Sequence, residues 1–155
     1  MALVILLCGP AGAGKTTHAR QLAAGGAVRL SMDEAVWDDG WHQDEPPAER
    51  LQHLYADLKH DARTAIANGQ DVVVDLSSAD RGVRDEWRAF ADDVSADLRL
   101  VVLTAPFEVL WQRVKKRNDQ KQANAVRFTE SRLRAYVDGF DWPTDDEHPT
   151  VVTTG

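Results

Sequence analysis

Leu3-Val4-Ile5-Leu6-Leu7-Cys8 runs directly into Gly9-Pro10-Ala11-Gly12-Ala13-Gly14-Lys15-Thr16, with Thr17 next. The apolar run predicts a strand buried on both faces, the kind found in parallel sheets. The eight residues after it fit G-x-x-x-x-G-K-[ST] at every fixed position. Each residue type there has a chemical reason. Glycines allow a tight turn whose N–H groups point inward at phosphate oxygens. Lys15 brings a positive charge to the β- and γ-phosphates, and the Thr16 hydroxyl suits magnesium. A helix opening at Lys15 adds unpaired N–H groups and the positive end of its dipole. Strand, glycine-rich turn and helix together predict a P-loop over Gly9 to Thr17 that takes a nucleoside triphosphate with magnesium.

Outward from this stretch, short β-type runs alternate with longer helical ones, the pattern of a parallel sheet covered by helices. Lys15 to Ala24 reads as a helix ended by Gly25-Gly26, and Ala27 to Ser31 as a second strand. Asp33 to Pro47, rich in Asp, Trp and Pro and without a clear period, reads as a loop over the site. Pro46-Pro47 opens a long helix with Leu51, Leu54, Tyr55, Leu58, Ala62 and Ile66 on one face, stopped by Asn68-Gly69. Asp71 to Asp75 is a third strand. Val83, Trp87, Phe90, Ala91 and Val94 mark the next helix, and Leu98 to Leu103 a fourth strand. Pro106 begins a helix to about Arg117, and Asn118 to Arg127 is polar. Leu133, Tyr136, Val137 and Phe140 predict a last helix, and Thr150 to Thr153 a fifth strand. The expectation is an α/β chain, a three-layer α/β/α P-loop NTPase fold with a central parallel five-stranded sheet. Residues 1–155 would form one domain, with a helical lid over about 113–128.

Ligands of such sheets bind beyond the carboxyl ends of the strands. Asp33 follows the second strand and Asp75 ends the third, so both should border the nucleotide. A phosphoryl transfer to a hydroxyl uses a carboxylate to accept the hydroxyl proton. Asp33 is the candidate base, with Glu34 the adjacent alternative. Asp75, closing a valine-rich strand, is the candidate to support magnesium with Thr16. Both aspartates also suit plain capping of the turns that follow them.

The basic run Arg113, Lys115, Lys116, Arg117 and Lys121 needs a local explanation. Arg113 and Arg117 share a helix face and are the candidates to neutralise charge on a transferring phosphoryl group. Lys115 and Lys116 point elsewhere and suit a solvated helix end. Trp87 and Trp111 read as core, whereas Trp37 and Trp41 lie after Asp33 and are candidates for one wall of an acceptor pocket. The five histidines form no metal-ligand spacing with Cys8.

In 155 residues, Asp and Glu outnumber Lys and Arg by 25 to 18, a formal net charge of -7. A protein that grips long nucleic acid normally shows a basic surplus, so such a partner is disfavoured. No stretch approaches the roughly 20 apolar residues of a membrane helix. The apolar start has no basic flank or cleavage site of the secretory kind. With one unpaired cysteine, Cys8, the expected compartment is a reducing cytoplasm.

Five ordered segments resemble the small P-loop kinases grouped with the kinase domain of bacteriophage polynucleotide kinase, zeta toxins and chloramphenicol phosphotransferase. They are Gly9 to Thr17; Ser31-Met32-Asp33-Glu34; Val73-Val74-Asp75 with Arg84 and Trp87; Ala105 to Leu110 leading to Arg113 and Arg117; and Phe140 to Glu147. The resemblance implies that Asp33 is the general base and that lid arginines, Arg117 and Arg113, reach the β- and γ-phosphates. The polynucleotide kinases carry an arginine three residues after the catalytic aspartate, and here that position is Val36. An apolar side chain cannot hold an acceptor's phosphate. The expectation is therefore a magnesium-dependent transfer of the γ-phosphoryl group to a hydroxyl of a small, partly apolar molecule. No guanine-reading motif is evident, which favours ATP. A nucleotide-dependent switch without an acceptor and a 5′-hydroxyl nucleic-acid kinase are the rival readings.

Overall fold

The computed structural model describes residues 1–42, 44–119 and 128–155. Five strands form one parallel sheet: β1 (Leu3–Cys8), β2 (Val28–Ser31), β3 (Val72–Asp75), β4 (Asp97–Thr104) and β5 (Thr150–Thr153). Their order across the sheet is β2-β3-β1-β4-β5. The chain leaves central β1, builds the β3 and β2 side, then crosses to β4 and β5. A strand order that reverses beside β1 opens a crevice beyond its carboxyl end. The register places Ser31 opposite Asp75, so the ends of β2 and β3 finish together at that crevice.

β1 is buried on both sides, and its alternation divides the core. Val4, Leu6 and Cys8 pack on one face with Leu58, Ala62, Trp87 and Phe90, from α3 (Ala48–Ala67) and α4 (Arg81–Asp93). Ile5 and Leu7 pack on the other with Ala19, Leu110, Val114 and Leu133. Those come from α1 (Lys15–Ala24), α5 (Phe107–Asn118) and α6 (Glu130–Asp138). The result is the three-layer α/β/α fold of the P-loop NTPases. Burial pushes the Cys8 thiol up to about 11, so it serves as a small core residue and not as a nucleophile.

The stretch expected as a loop from Asp33 begins instead with a helix, α2 (Met32–Asp38). Ser31 caps it by accepting a hydrogen bond from the Glu34 N–H at 3.2 Å, and Asp33 and Glu34 lie in its first turn. The cap and the dipole start the helix. Seven residues are too few for an apolar period to declare itself. The last helix also ends at Asp138, earlier than the apolar spacing implied, with Phe140 buried beyond it. Of the expected lid, residues 120–127, Lys121 among them, lie outside the described residues. Among the described residues no helix is long and apolar enough to cross a membrane.

The segment after α6 folds back onto the loop that follows β3, and a buried arginine joins them. Arg84 is 0% exposed. Its Nε and Nη2 donate to the two carboxylate oxygens of Glu147 at 2.8 and 3.2 Å, and its Nη1 donates to the carbonyls of Ser78 and Asp141 at 2.9 and 2.7 Å. Ser78 in turn accepts the Cys8 thiol, and Ser77 accepts the Gly9 N–H at 3.0 Å. The tail thus braces the loop that abuts the start of the P-loop. Burial alone would raise the Glu147 carboxyl, but Arg84, Arg88 and the Thr144 N–H together bring it down to about 2. A folded value below the unfolded one stabilises the protein above about pH 4.5, and that contribution fades as pH falls towards 2. Glu147→Ala leaves a buried guanidinium without its carboxylate and is expected to cost about 3–5 kcal/mol, read by thermal or urea unfolding at pH 7. Wild-type stability should drop between pH 4.5 and 2 more steeply than that of the variant.

Candidate active site

A cleft of about 880 Å³ opens beyond the carboxyl ends of the strands. Its floor at one end is the P-loop. Gly9 leaves β1 with φ +157°, and a Cβ there would lie 2.3 Å from the Leu103 carbonyl oxygen. At Gly12, φ is +85° and a Cβ would meet the Leu110 carbonyl oxygen at 2.8 Å. Only glycine lets the loop pass this close to β4 and α5. Ala11, Gly12, Gly14, Lys15, Thr16 and Thr17 line the cleft; Gly9, Pro10 and Ala13 shape the loop from behind. Gly14, at φ +98°, precedes α1 without a side-chain cap, so the first amides of α1 remain available to an anion.

Lys15 lies along the loop with its ammonium donating to the carbonyls of Gly9 and Pro10 at 2.8 and 3.1 Å. Burial lowers it to about 8, although Asp75 and Asp33 pull the other way. Thr16, one residue on, donates its hydroxyl to Asp75 Oδ2 at 3.3 Å. A hydroxyl and a carboxylate side by side at a phosphate-binding loop are the hard oxygen donors magnesium prefers. Among the described residues no group of three or more His, Cys, Asp or Glu could hold a metal without help.

Asp33, in the first turn of α2, reaches the same cleft as Lys15, Asp75 and Arg117. It is accessible through the cleft mouth, yet the protein around it displaces enough water to raise its carboxyl above the ordinary range. Lys15 and Arg117 oppose that rise and Asp75 adds to it. A raised value makes the carboxylate a better proton acceptor. Glu34 does not line the cleft; it pairs with Arg29 at 2.8 Å and Arg20 at 3.7 Å. Arg117 also lines the cleft, where burial and the nearby Arg113 lower its value while Asp33 and Asp75 hold it up.

Arg113 lines the cleft too, and its guanidinium group is engaged by the chain around the P-loop. Its Nη1 donates to the Gly12 carbonyl and the Thr154 hydroxyl at 2.9 and 2.8 Å, and its Nη2 to the Thr154 carbonyl at 2.6 Å. Thr154 also donates to the Ala13 carbonyl at 2.7 Å. Arg113 therefore ties the end of β5 to the P-loop. Trp37 and Trp41 stand away from the cleft: Trp37 stacks on His42 with ring centres 4.2 Å apart, and Trp41 donates to Asp39 at 2.9 Å. The aromatic and apolar lining of the cleft comes instead from Tyr55, Phe128, Tyr136, Met32 and Val83, and Asp80 and Glu86 line the cleft too. On the sequence Tyr55 is one more apolar position of the long helix, and no pattern singles out Phe128. Arg29, which binds Asp75, was legible only as a charged residue inside a short strand.

The profile of a family described as an AAA domain matches residues 4–143. No curated protein sequence matches the chain. Among solved structures, it is similar to a gluconokinase from Sinorhizobium meliloti 1021, with 20% identity, TM-score 0.66, and coverage of 97% of this chain and 81% of that one. It is similar to the tunicamycin resistance protein of Deinococcus radiodurans, with 15% identity, TM-score 0.65, and coverage of 99% and 87%. A chain of the Pnkp1/Rnl/Hen1 RNA repair complex matches at 22% identity and TM-score 0.73, over 89% of this chain. The match spans only 43% of that repair chain, and 38% in a second structure of the complex. These likenesses show the fold alone, a parallel sheet between two helical layers with a P-loop after its first strand.

Phosphate binding at this loop should be linked to protons through Lys15. A bound polyphosphate favours the charged amine, so above about pH 8 binding must take up a proton. Affinity for the non-hydrolysable analogue AMP-PNP, measured by calorimetry from pH 7 to 9.5, is expected to weaken by up to about tenfold per pH unit above 8. Lys15→Met should bind weakly with that slope removed.

Proposed function

Because the chain belongs to the AAA-domain family, we propose that it is a kinase moving the γ-phosphoryl group of ATP to a hydroxyl of a small molecule. The observation that carries this reading is the meeting of Lys15, Arg117 and Asp33 in one cleft beside the Thr16–Asp75 pair. Residues 1–155 act as one catalytic domain in this reading. The P-loop amides and Lys15 bind the β- and γ-phosphates, and Thr16 with Asp75 holds magnesium, which supplies charge neutralisation when bound. Asp33 takes the proton from the acceptor hydroxyl and orients that oxygen in line. Arg117 neutralises the charge gathering on the transferring group. Arg113, engaged with Gly12 and Thr154, holds the P-loop in shape as these groups act. Asp33 is preferred over Glu34 as the base because it lines the cleft and Glu34 is occupied by two arginines.

The far end of the cleft supports a small-molecule acceptor. Aromatic and apolar side chains there suit a compact organic body. Tyr55 is one of these side chains, and burial pushes its hydroxyl up to about 12, so it stays protonated there. Asp80 and Glu86 would repel a phosphodiester backbone. Val36 is not among the lining residues, and no cation takes its place on α2.

The test is ATP turnover with magnesium against a panel of sugars, other hydroxyl compounds, nucleosides and 5′-hydroxyl oligonucleotides, with products read by mass spectrometry. A phosphorylated small molecule is expected. Labelling of the oligonucleotides alone would make the protein a nucleic-acid kinase, and hydrolysis that no acceptor accelerates would favour the nucleotide switch. With the acceptor in hand, Asp33→Asn should lower transfer by about 10²–10⁴-fold while AMP-PNP binding stays within a few-fold of wild type. Unchanged turnover in that variant would remove Asp33 from the reaction.

A further inference from the structure

β2 is a short strand in which Val28 and Leu30 face hydrophobic surroundings, yet Arg29 stands between them. Its guanidinium group is largely enclosed, with the side chain only 13% exposed. Two carboxylates share it. Nε and Nη2 both donate to Asp75 Oδ2, at 3.1 and 2.8 Å, and Nη1 lies 2.8 Å from Glu34 Oε1. Asp75 is itself 6% exposed at its side chain, and its Oδ2 also accepts the Thr16 hydroxyl. Among the described residues no hydrogen bond reaches Asp75 Oδ1.

One side chain thus spans the two halves of the site. On one arm it fixes the carboxylate that meets Thr16. On the other it holds Glu34, the neighbour of Asp33 in the first turn of α2. We propose that Arg29 is a positioning residue: it clamps Asp75 through Oδ2, keeps Oδ1 for the water shell of magnesium, and sets α2 at a fixed distance from the P-loop. The inference rests on the phosphotransferase reading, which gives Asp75 and Asp33 their roles. The clamp needs a planar fork, because three N–H groups must diverge to two carboxylates from one rigid plane. A lysine at this position retains the charge but presents a single ammonium point. Arg29 does not line the cleft, so it touches neither nucleotide nor acceptor and acts through its partners.

The test separates positioning from bare structural support by titrating magnesium into protein with AMP-PNP, following binding by calorimetry, and repeating in EDTA. In Arg29→Met and Arg29→Lys, affinity in EDTA should stay within about twofold of wild type, since the P-loop is untouched. The magnesium concentration for half-maximal effect should rise about 10- to 100-fold, the range for loss of a partner that orients a metal ligand. Glu34→Ala breaks only the α2 arm and should lower turnover of the identified acceptor while leaving the magnesium titration near wild type. Circular dichroism and thermal unfolding establish that each variant is folded. Wild-type magnesium dependence in both Arg29 variants would overturn the proposal. So would an equal loss of binding with and without magnesium, which would make Arg29 a structural support alone. Wild-type protein that binds AMP-PNP with no response to magnesium would overturn it as well, whereas the kinase reading stands or falls separately on phosphorylation of an acceptor.

Discussion

The passage from β1 to α1 constrains everything else in this molecule. Cys8, itself fully buried, ends the central strand, and Gly9 turns under the carbonyl of Leu103 where no side chain fits. Gly12 then passes close beneath Leu110, again too near for a side chain. The loop is therefore held by β4 on one side and α5 on the other, and Arg113 with Thr154 closes the third side. A phosphate-binding loop must present several N–H groups in one direction at once. Packing it against backbone from three elements supplies that rigidity before any ligand arrives, and catalytic electrostatics of this kind work best when preorganised.

The charges of the cleft follow from the same arrangement. Parallel strands that end together bring Ser31 and Asp75 level, and a helix starting immediately after Ser31 sends Asp33 back towards the P-loop. Asp75 then acts on Lys15, Asp33 and Arg117, with burial as the largest influence on all three. Burial lowers the two cations and raises Asp33, so each group sits nearer neutrality than it would in water. Such groups respond strongly when a phosphate ligand changes the local charge. Farther out, Arg84 and Glu147 hold the loop after β3 against the start of the P-loop, a role that requires the chain's last segment to return to the sheet.

Much of this was legible along the chain because it depends on local rules. The run Leu3–Cys8 could be little other than a buried strand, and the spacing of Gly9, Gly14, Lys15 and Thr16 carries its own chemistry. Asp33 and Asp75 were legible from the rule that parallel sheets place ligands beyond strand ends. Arg117 and Arg113 shared a helical spacing, but spacing did not reveal that Arg113 is engaged by Thr154, 41 residues away. The helix α2 was illegible for a different reason. A Ser31 cap and two acidic residues start it, and seven residues leave no room for a repeating apolar face. Trp37 and Trp41 suit pocket walls on the sequence because large aromatics in an apparent loop lack a core to join; in the fold Trp37, near the end of α2, stacks on His42, and Trp41, just beyond the helix, donates to Asp39.

The amino-acid sequence alone determined the sheet's strands, the phosphate loop and the two strand-end carboxylates, since backbone sterics, burial and residue chemistry act within a few neighbours. Tertiary structure decided which partners those groups meet. Arg29 finds both Asp75 and Glu34 only because β2 pairs with β3 and α2 folds back over their ends. Tyr55, Phe128 and Tyr136, from α3, the segment before α6 and α6 itself, line one cleft only once the layers are stacked. Contacts between residues far apart in the chain depend on the direction of every element between them, and no local pattern encodes that sum.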